Sequence, residues 1–211
     1  MGMNQEPGAG PAIGVETAAA GPSPPAKPPA GTPGWNVIVT LPEATAPQAR
    51  RVLRRWGWLH RTHYFNVLVM AVADPDRFVQ EFGAAVAETP GILNFIAHVF
   101  AAQRTFDFTT VEEFETTARE LVLSWVPLLA GKRFHIRLHR RGLKGILSTP
   151  KEERFLDEAL LAELNSAGTP GHIAFDDPDF IIHIETIDHR AGIALWRRDD
   201  LRLYPFLSQS R

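Results

Sequence analysis

The feature that most restricts the fold is a stretch of alternating residue types in the second half of the chain. Its sequence is Arg133-Phe134-His135-Ile136-Arg137-Leu138-His139. Because side chains of a β-strand point alternately to its two faces, this pattern predicts a half-buried strand. The even-numbered residues would face a core, and the odd-numbered residues would form an outward, cationic face. Arg140-Arg141-Gly142 would then turn the chain out of the strand.

Helices and further strands are predicted on both sides of this strand, over residues 108–207. Thr109 and Glu112 form a candidate capping box for a helix that ends near Trp125. Thr149-Pro150 predicts the start of a second helix. The apolar run Phe180–Ile187 predicts a strand buried on both faces, followed by a hairpin into residues 193–196. The predicted order is helix, strand, helix, strand, strand.

Residues 35–107 predict a smaller alternation of strands and helices. A strand at 35–40 precedes a helix that starts after Thr45, with Gln48 completing a capping box. Residues 62–72 predict a long strand that could be split, Asp74-Pro75 predicts the start of a second helix, and 92–100 should be extended. This order is compatible with a ferredoxin-like α+β unit.

The first 34 residues differ from the rest in composition. They contain eight Pro, seven Gly and only three charged residues. Such a segment has little apolar surface to offset the entropy of ordering it, so it predicts a disordered tail or linker. A Pro-rich ligand for a partner domain is the alternative.

Composition excludes several classes of protein. The chain has 211 residues and no cysteine, which excludes disulfides, cysteine-based zinc sites, iron–sulfur clusters and a thiol nucleophile. No apolar run approaches the roughly 20 residues that span a bilayer, and the first residues have no signal-peptide pattern. We therefore expect a cytoplasmic protein that does not bind membranes.

Positive charge is concentrated in two places, although the formal net charge is −2. Residues 132–144 carry six Lys or Arg, two His and no acidic residue. A second group, Arg50, Arg51, Arg54 and Arg55, lies on the polar face of the first predicted helix. Cations on alternate strand positions suit successive phosphates, so nucleic-acid binding is one interpretation and a merely solvated face is the other.

The segment 108–207 resembles a THUMP domain, an RNA-binding module of thiouridine synthetases, RNA methylases and pseudouridine synthases. The matching residues are Lys132-Arg133-Phe134-His135-Ile136-Arg137, the Arg141-Gly142 turn, the helix from Pro150, and Asp177-Pro178-Asp179 with the strand that follows. Residues 35–207 also resemble stand-alone THUMP proteins related to the adaptor of eukaryotic tRNA cytidine acetylation. The resemblance implies a ferredoxin-like domain at 35–107, a THUMP α/β domain at 108–207, and binding to the acceptor stem and 3′ end of tRNA.

Motifs of catalysis are scarce. His183 and Glu185 form an H-x-E, but the cysteine ligands of a zinc deaminase are absent, so His183 is expected to lie on a strand face. His60-Arg61-Thr62 is a single H-x-T, whereas two-histidine phosphoesterases need two such motifs. Asp176, Asp177 and Asp179 could bind a hard cation, but a turn with solvated acids is favoured. The sequence therefore predicts no catalytic residue, no cofactor and no metal.

Together these patterns and the resemblance predict a non-catalytic tRNA-binding protein, not an enzyme. It would present the acceptor stem and 3′ end of tRNA to a separate RNA-modification enzyme, with cytidine acetylation as one candidate reaction, and would not bind DNA. The expected RNA-binding residues are Arg133, Arg137, His139, Arg140, Arg141, Lys144, Arg50 and Arg54. The alternatives are a stand-alone RNA-processing enzyme of the phosphoesterase type and a protein–protein adaptor without RNA binding.

Overall fold

A computed structural model gives the fold of Met1 and residues 34–208. The predicted tail at 1–34 therefore lies outside the described residues except for its two ends. This part of the chain forms a mixed α/β structure with two sheets. Among the helices of residues 34–208, none is both long enough and apolar enough to cross a membrane.

The first sheet has four antiparallel strands in the spatial order β2-β3-β1-β4. Its elements in chain order are β1 (Val37–Thr40), α1 (Ala46–Leu53), β2 (Trp58–Arg61), β3 (Val67–Ala71), α2 (Pro75–Glu88), a 3-10 helix (Pro90–Asn94) and β4 (His98–Ala101). The long strand expected over 62–72 is restricted to β3, because β2 forms earlier and residues 62–66 turn the chain. The segment expected to be extended over 92–100 begins in the 3-10 helix instead.

A side-chain cap explains where α2 begins, whereas α1 begins without one. The Asp74 carboxylate accepts a hydrogen bond from the backbone N–H of Arg77 at 3.0 Å. Pro75 occupies the first turn, where a missing N–H costs nothing. The capping box predicted at Thr45 does not form, because the Thr45 hydroxyl donates to the carbonyl of Pro42 at 2.8 Å.

The second sheet has five strands in the spatial order β5-β9-β8-β6-β7. Its strands are β5 (Arg104–Asp107), β6 (Arg133–Arg141), β7 (His172–Ile173), β8 (Phe180–Ile187) and β9 (Arg190–Arg197). The helices are α3 (Val111–Leu123), α4 (Val126–Leu129), α5 (Thr149–Ser166) and α6 (Arg198–Leu203), followed by a 3-10 helix (Pro205–Leu207). Strand β6 is parallel to β7 and β8, and β9 is antiparallel to β8 and β5. The predicted strand at 133–139 and the doubly buried strand β8 are confirmed.

Helices α3 and α5 cover one face of this sheet. Their buried residues, among them Phe114, Val122 and Leu156, belong to one core with the even-numbered residues of β6. Thr110, one residue after the expected cap, accepts from the N–H of Glu113 at 3.2 Å and begins α3. The apolar residues Phe134, Ile136 and Leu138 of β6 therefore face the two helices that pack on this side of the sheet.

Helix α5 also covers the free edge of β6. Strand β7 pairs only with Arg133 and Phe134, so the next N–H groups of β6 need other acceptors. The N–H of Leu138 donates to the Glu153 carboxylate at 2.7 Å, and that of Ile136 donates to Asp157. Two carboxylates of one helix therefore replace a neighbouring strand.

The first sheet packs on the opposite face of the second sheet. The two sheets approach closely at Gly192 in β9, because a Cβ there would lie 2.8 Å from the ring of Phe100 and 3.1 Å from that of Trp35. Ile187, Ala194 and Trp196 of the second sheet accordingly belong to the core of the first. Strand β5 pairs with β9, so the second sheet begins before residue 108. The division into 35–107 and 108–207 stays a prediction.

Candidate RNA-binding surface

The odd-numbered face of β6 is not uniformly open to solvent. Arg133 is exposed, Arg137 and His139 are half-buried, and His135 and Arg141 are buried. All five share one face of one strand, so the alternation of the sequence is present in the structure. Only the start and the middle of this face reach the surface.

The buried state of His135 results from a loop that follows β7. Its Nδ1 donates to the carbonyl of Ala174 at 2.8 Å, and its ring packs against Phe175 with the centroids 5.2 Å apart. The Phe175 ring is itself largely exposed. An aromatic side chain therefore borders the cationic face, as stacking on a nucleic-acid base would require.

At the other end of β6, the first sheet covers Arg141. The Arg141 guanidinium forms an ion pair with the buried Glu185 carboxylate and donates to the hydroxyl of Thr40 at 3.2 Å. Its side chain is 9% exposed. Arg141 therefore joins β1 to β8 inside the protein. The prediction that Arg141 presents its charge to solvent is wrong, because the first sheet covers this end of β6.

The remaining cations of this segment differ in how they are held. Arg133 pairs with Asp177 at 3.3 Å and lies 4.0 Å from Asp179. Arg140 is half-buried and donates to the carbonyl of Gly142, whereas Lys144 is exposed on the loop beyond it. Gly142 has a φ of +88°, and a Cβ there would lie 2.6 Å from the Tyr64 hydroxyl, so only glycine fits this turn.

The acidic turn after β7 provides ion-pair partners for arginines. Asp179 accepts from Arg198 at 2.8 Å and from the N–H of Arg133 at 2.9 Å. Hydrogen bonding to the N–H of Arg133 is the main cause that lowers the pKa of Asp179. Asp177 likewise contacts Arg198 at 2.8 Å. The carboxylates of Asp177 and Asp179 are thus balanced by arginine side chains of the protein itself.

The second predicted group of cations lies on α1 and just after it. Arg50 is half-buried, and burial lowers its pKa. Arg54 is exposed immediately after the last residue of the helix. Arg55 lies over the ring of Trp56 at 3.9 Å from its centroid. Arg50 and Arg54 belong to the first sheet's unit, and β6 belongs to the second.

A buried polar cluster lies beside Arg141. It contains His98 of β4 with His183 and Glu185 of β8, which are 4%, 4% and 0% exposed. Glu185 Oε1 lies 3.5 Å from His183 Nε2 and 3.7 Å from His98 Nδ1. Burial lowers the pKa of both imidazoles, that of His183 to about 3. The interactions of Glu185 with His183 and Arg141 lower the pKa of Glu185 against the effect of its own burial. His183 lies on a strand face, as expected, but the sequence does not link it to His98.

A cavity of about 860 Å³ opens where the two sheets meet. Its polar lining comes from three separate segments, and its cationic or imidazole residues include His60, Arg61, His63, His189 and Arg190. Asp188, which also lines the cavity, accepts a hydrogen bond from Tyr64 at 2.5 Å, and burial together with this bond raises the pKa of Tyr64 to about 12. Sequence reasoning missed this cavity, because no local spacing connects residues near 60 with residues near 190.

Several solved structures have a fold similar to that of this chain. No protein-family model and no curated protein matches the sequence. PH1313 from Pyrococcus horikoshii is 12% identical, with 76% of this chain and 54% of PH1313 covered and a TM-score of 0.52. TrmN from Thermus thermophilus is 14% identical, with 76% and 44% covered and a TM-score of 0.50. A 4-thiouridine synthetase in complex with RNA and ATP is 14% identical, with 76% and 40% covered and a TM-score of 0.49.

The matches to PH1313 and TrmN show a shared fold over about three quarters of this chain. The chain spans 54% of the length of PH1313 and 44% of that of TrmN. About half of each of these proteins therefore has no counterpart in the described structure.

The comparisons contradict the prediction that the chain is not an enzyme. TrmN, with which this chain shares its fold over 76% of its residues, is a tRNA methyltransferase. The prediction was based on missing motifs, and a missing motif is weak grounds for excluding an activity.

Proposed function

We propose that this protein binds RNA, tRNA in the first place, and acts in RNA modification. The observation that carries the proposal is the odd-numbered face of β6, where exposed Arg133 and half-buried Arg137 and His139 reach the surface. This face lies on a fold similar to that of TrmN, a tRNA methyltransferase. Phosphate oxygens are the ligands that a row of arginines recognises best.

The proposal also assigns a fold type to each of the two units. The strand order β2-β3-β1-β4 with two intervening helices supports a ferredoxin-like unit for the first sheet. The basic strand, the Gly142 turn and the acidic turn before β8 support a THUMP-like unit for the second. From that resemblance we infer that the acceptor stem and the 3′ end of tRNA are the parts bound.

We assign the phosphate contacts to the cations that reach solvent. These are Arg133, Arg137, His139, Arg140 and Lys144 around β6, with Arg50 and Arg54 as a second group. Arg141, although part of the same pattern, acts as a support because it is paired inside the protein. Such contacts position the RNA and carry little sequence information.

The protein partner that we propose is a separate RNA-modification enzyme, and cytidine acetylation is one candidate reaction. The resemblance to THUMP proteins supports this partner. Co-purification from the native host followed by identification of the bound proteins tests it. Recovery of tRNA with a modification enzyme supports the proposal, and recovery of neither contradicts it.

Titration with tRNA at about 50 mM and about 200 mM salt tests the binding surface. We expect the double variant Arg137→Ala/Lys144→Ala to bind more weakly and to lower the slope of log affinity against log salt by about two, one per lost phosphate contact. The matched control is Arg119→Ala/Arg154→Ala, which removes two exposed cations from α3 and α5 on the opposite side of the sheet. An unchanged slope in the first variant, or an equal loss in the control, would contradict a dedicated RNA surface on β6.

A further inference from the structure

Three potential metal ligands converge where the two sheets meet. His98 extends from β4 of the first sheet, and His183 and Glu185 extend from β8 of the second. One nitrogen of each imidazole and one carboxylate oxygen all lie within 4.8 Å of one another. Each of the three residues is at least nine-tenths buried. No other group of this kind occurs within residues 34–208.

Hydrogen bonding determines which nitrogen of His98 faces the cluster as an acceptor. Its Nε2 lies 3.2 Å from the carbonyl oxygen of Leu207, and a carbonyl can only accept, so Nε2 carries the proton. The Nδ1 atom of the neutral ring then has a lone pair, and it lies 3.7 Å from Glu185 Oε1. A lone pair facing a carboxylate oxygen is unfavourable unless a cation lies between them.

His183 approaches the same carboxylate from the other side. Its Nε2 lies 3.5 Å from the same carboxylate oxygen and, among the described residues, has no hydrogen-bond partner. His98 Nδ1 also has none there. Two buried, unpartnered nitrogens directed at one carboxylate oxygen are unusual in a folded protein.

We propose that His98, His183 and Glu185 bind a divalent transition-metal ion, Zn²⁺ in the first instance, which links the first sheet to the second. Imidazole nitrogens with a carboxylate suit Zn²⁺, whereas Ca²⁺ and Mg²⁺ take mainly oxygen ligands. Zinc–ligand bonds of about 2.0–2.1 Å in a tetrahedron place the donor atoms about 3.4 Å apart. The separations of 3.5 and 3.7 Å around Glu185 Oε1 are close to that value.

The surroundings of the three ligands resemble the outer shell of metal sites. The carbonyl of Leu207 orients His98, and Arg141 contacts Glu185 Oε2 while Oε1 faces the imidazoles. Metal ligands in proteins are usually held by carbonyls and charged groups in this way. Because the site is closed to solvent, its role is structural.

The test uses the full chain, stripped with a chelator and titrated with Zn²⁺ against a chromophoric competitor. We expect one ion per chain and a rise in melting temperature of several degrees in excess Zn²⁺, because an ion that binds only the folded state stabilises it. Co²⁺ in place of Zn²⁺ should give the intense visible absorption bands of a tetrahedral site. The absence of stoichiometric binding in the unaltered chain would overturn the proposal without any variant.

Matched variants then locate the ion. His183→Gln should weaken Zn²⁺ binding more than tenfold and abolish the Co²⁺ bands, and His172→Gln/His189→Gln, which alters two exposed imidazoles, should change neither. Zinc binding that survives in His183→Gln but is lost in the control variant would assign the ion to surface histidines and overturn the proposal. If His183→Gln does not fold, the Co²⁺ spectrum of the unaltered chain decides, because weak octahedral bands would exclude this closed site.

Discussion

Arg137 and Arg141 lie four residues apart on the same face of β6, in opposite environments. Arg137 is half-buried near the surface, whereas Arg141 is covered by the first sheet and pairs with Glu185. The strand itself is regular over both positions and pairs with β8 throughout. The difference therefore comes from what lies on the strand and not from the strand.

This contrast separates two uses of the same side chain. At the middle of β6, an arginine can meet an external anion such as an RNA phosphate, in water, where each contact is modest and depends on salt. At the covered end, an arginine neutralises an internal carboxylate and reaches Thr40 in β1. Removing it leaves a buried charge without its partner, which is costly.

The largest expected effect is the loss of stability on removing the buried arginine. We expect Arg141→Ala to lower the free energy of unfolding by about 3–5 kcal/mol, because Glu185 would stay buried and lose its ion pair. At about 2–4 °C per kcal/mol for a protein of this size, the melting temperature should fall by roughly 10 °C. Urea denaturation and thermal melting both measure this.

Arg137→Ala is the matched control for that experiment. It removes the same side chain from the same face of the same strand, and we expect its stability to change by less than about 0.5 kcal/mol. The pair Arg141→Met/Glu185→Leu should regain much of the stability lost in Arg141→Ala, since apolar residues of similar size can replace a buried ion pair. Equal losses from Arg137→Ala and Arg141→Ala would show that the two positions do not differ as described.

The second prediction tests the packing that covers the end of β6. Gly192→Ala should lower the free energy of unfolding by about 1–3 kcal/mol, because the added methyl group would collide with Ala102, Phe100 and Trp35 of the first sheet's unit. Gly91→Ala is the control, since a methyl group there has only Asn94 nearby, at 3.9 Å. The melting temperatures of the two variants, compared with that of the unaltered chain, test this prediction. If Gly192→Ala left the free energy of unfolding unchanged, the two sheets would be less closely packed than these distances indicate.

Local patterns predicted the elements well and their contacts poorly. The alternation in β6, the apolar run of β8 and the cap at Asp74 each depend on neighbours in sequence, and each forms where it was predicted. The pairing of Arg141 with Glu185 joins residues 44 apart in the chain, and the cover over both comes from β1 and β4. No periodicity within β6 contains that information, so the sequence wrongly placed Arg141 among the arginines that face solvent.

The candidate site shows the same division. Exposed Arg133 and Lys144 could be identified from charge and position alone. The cluster of His98, His183 and Glu185 could not, because only the H-x-E of β8 is local, and His98 is 85 positions before His183 in the chain. Likewise, the 3-10 helix at Pro90–Asn94 replaced an expected extended segment, since an apolar run fits either structure when its packing is unknown.

The smallest expected effect concerns the edge of β6 beside Arg137. Asp157 accepts from the N–H of Ile136, and burial together with the nearby Glu153 raises its pKa to about 7 against that hydrogen bond. The folded chain therefore holds a proton on Asp157 that the unfolded chain has released between about pH 4 and pH 7, so stability should fall as the pH rises through this window and level off above it.

Asp157→Asn keeps an acceptor for Ile136 without a charge, and we expect it to raise the melting temperature by about 2–4 °C at pH 8 and to change it little at pH 4. Glu158→Gln, which alters the exposed neighbouring carboxylate, should change neither value. An equal shift of Asp157→Asn at both pH values would mean that the charge of Asp157 is not what opposes folding, and the edge of β6 would then be held by the hydrogen bond alone.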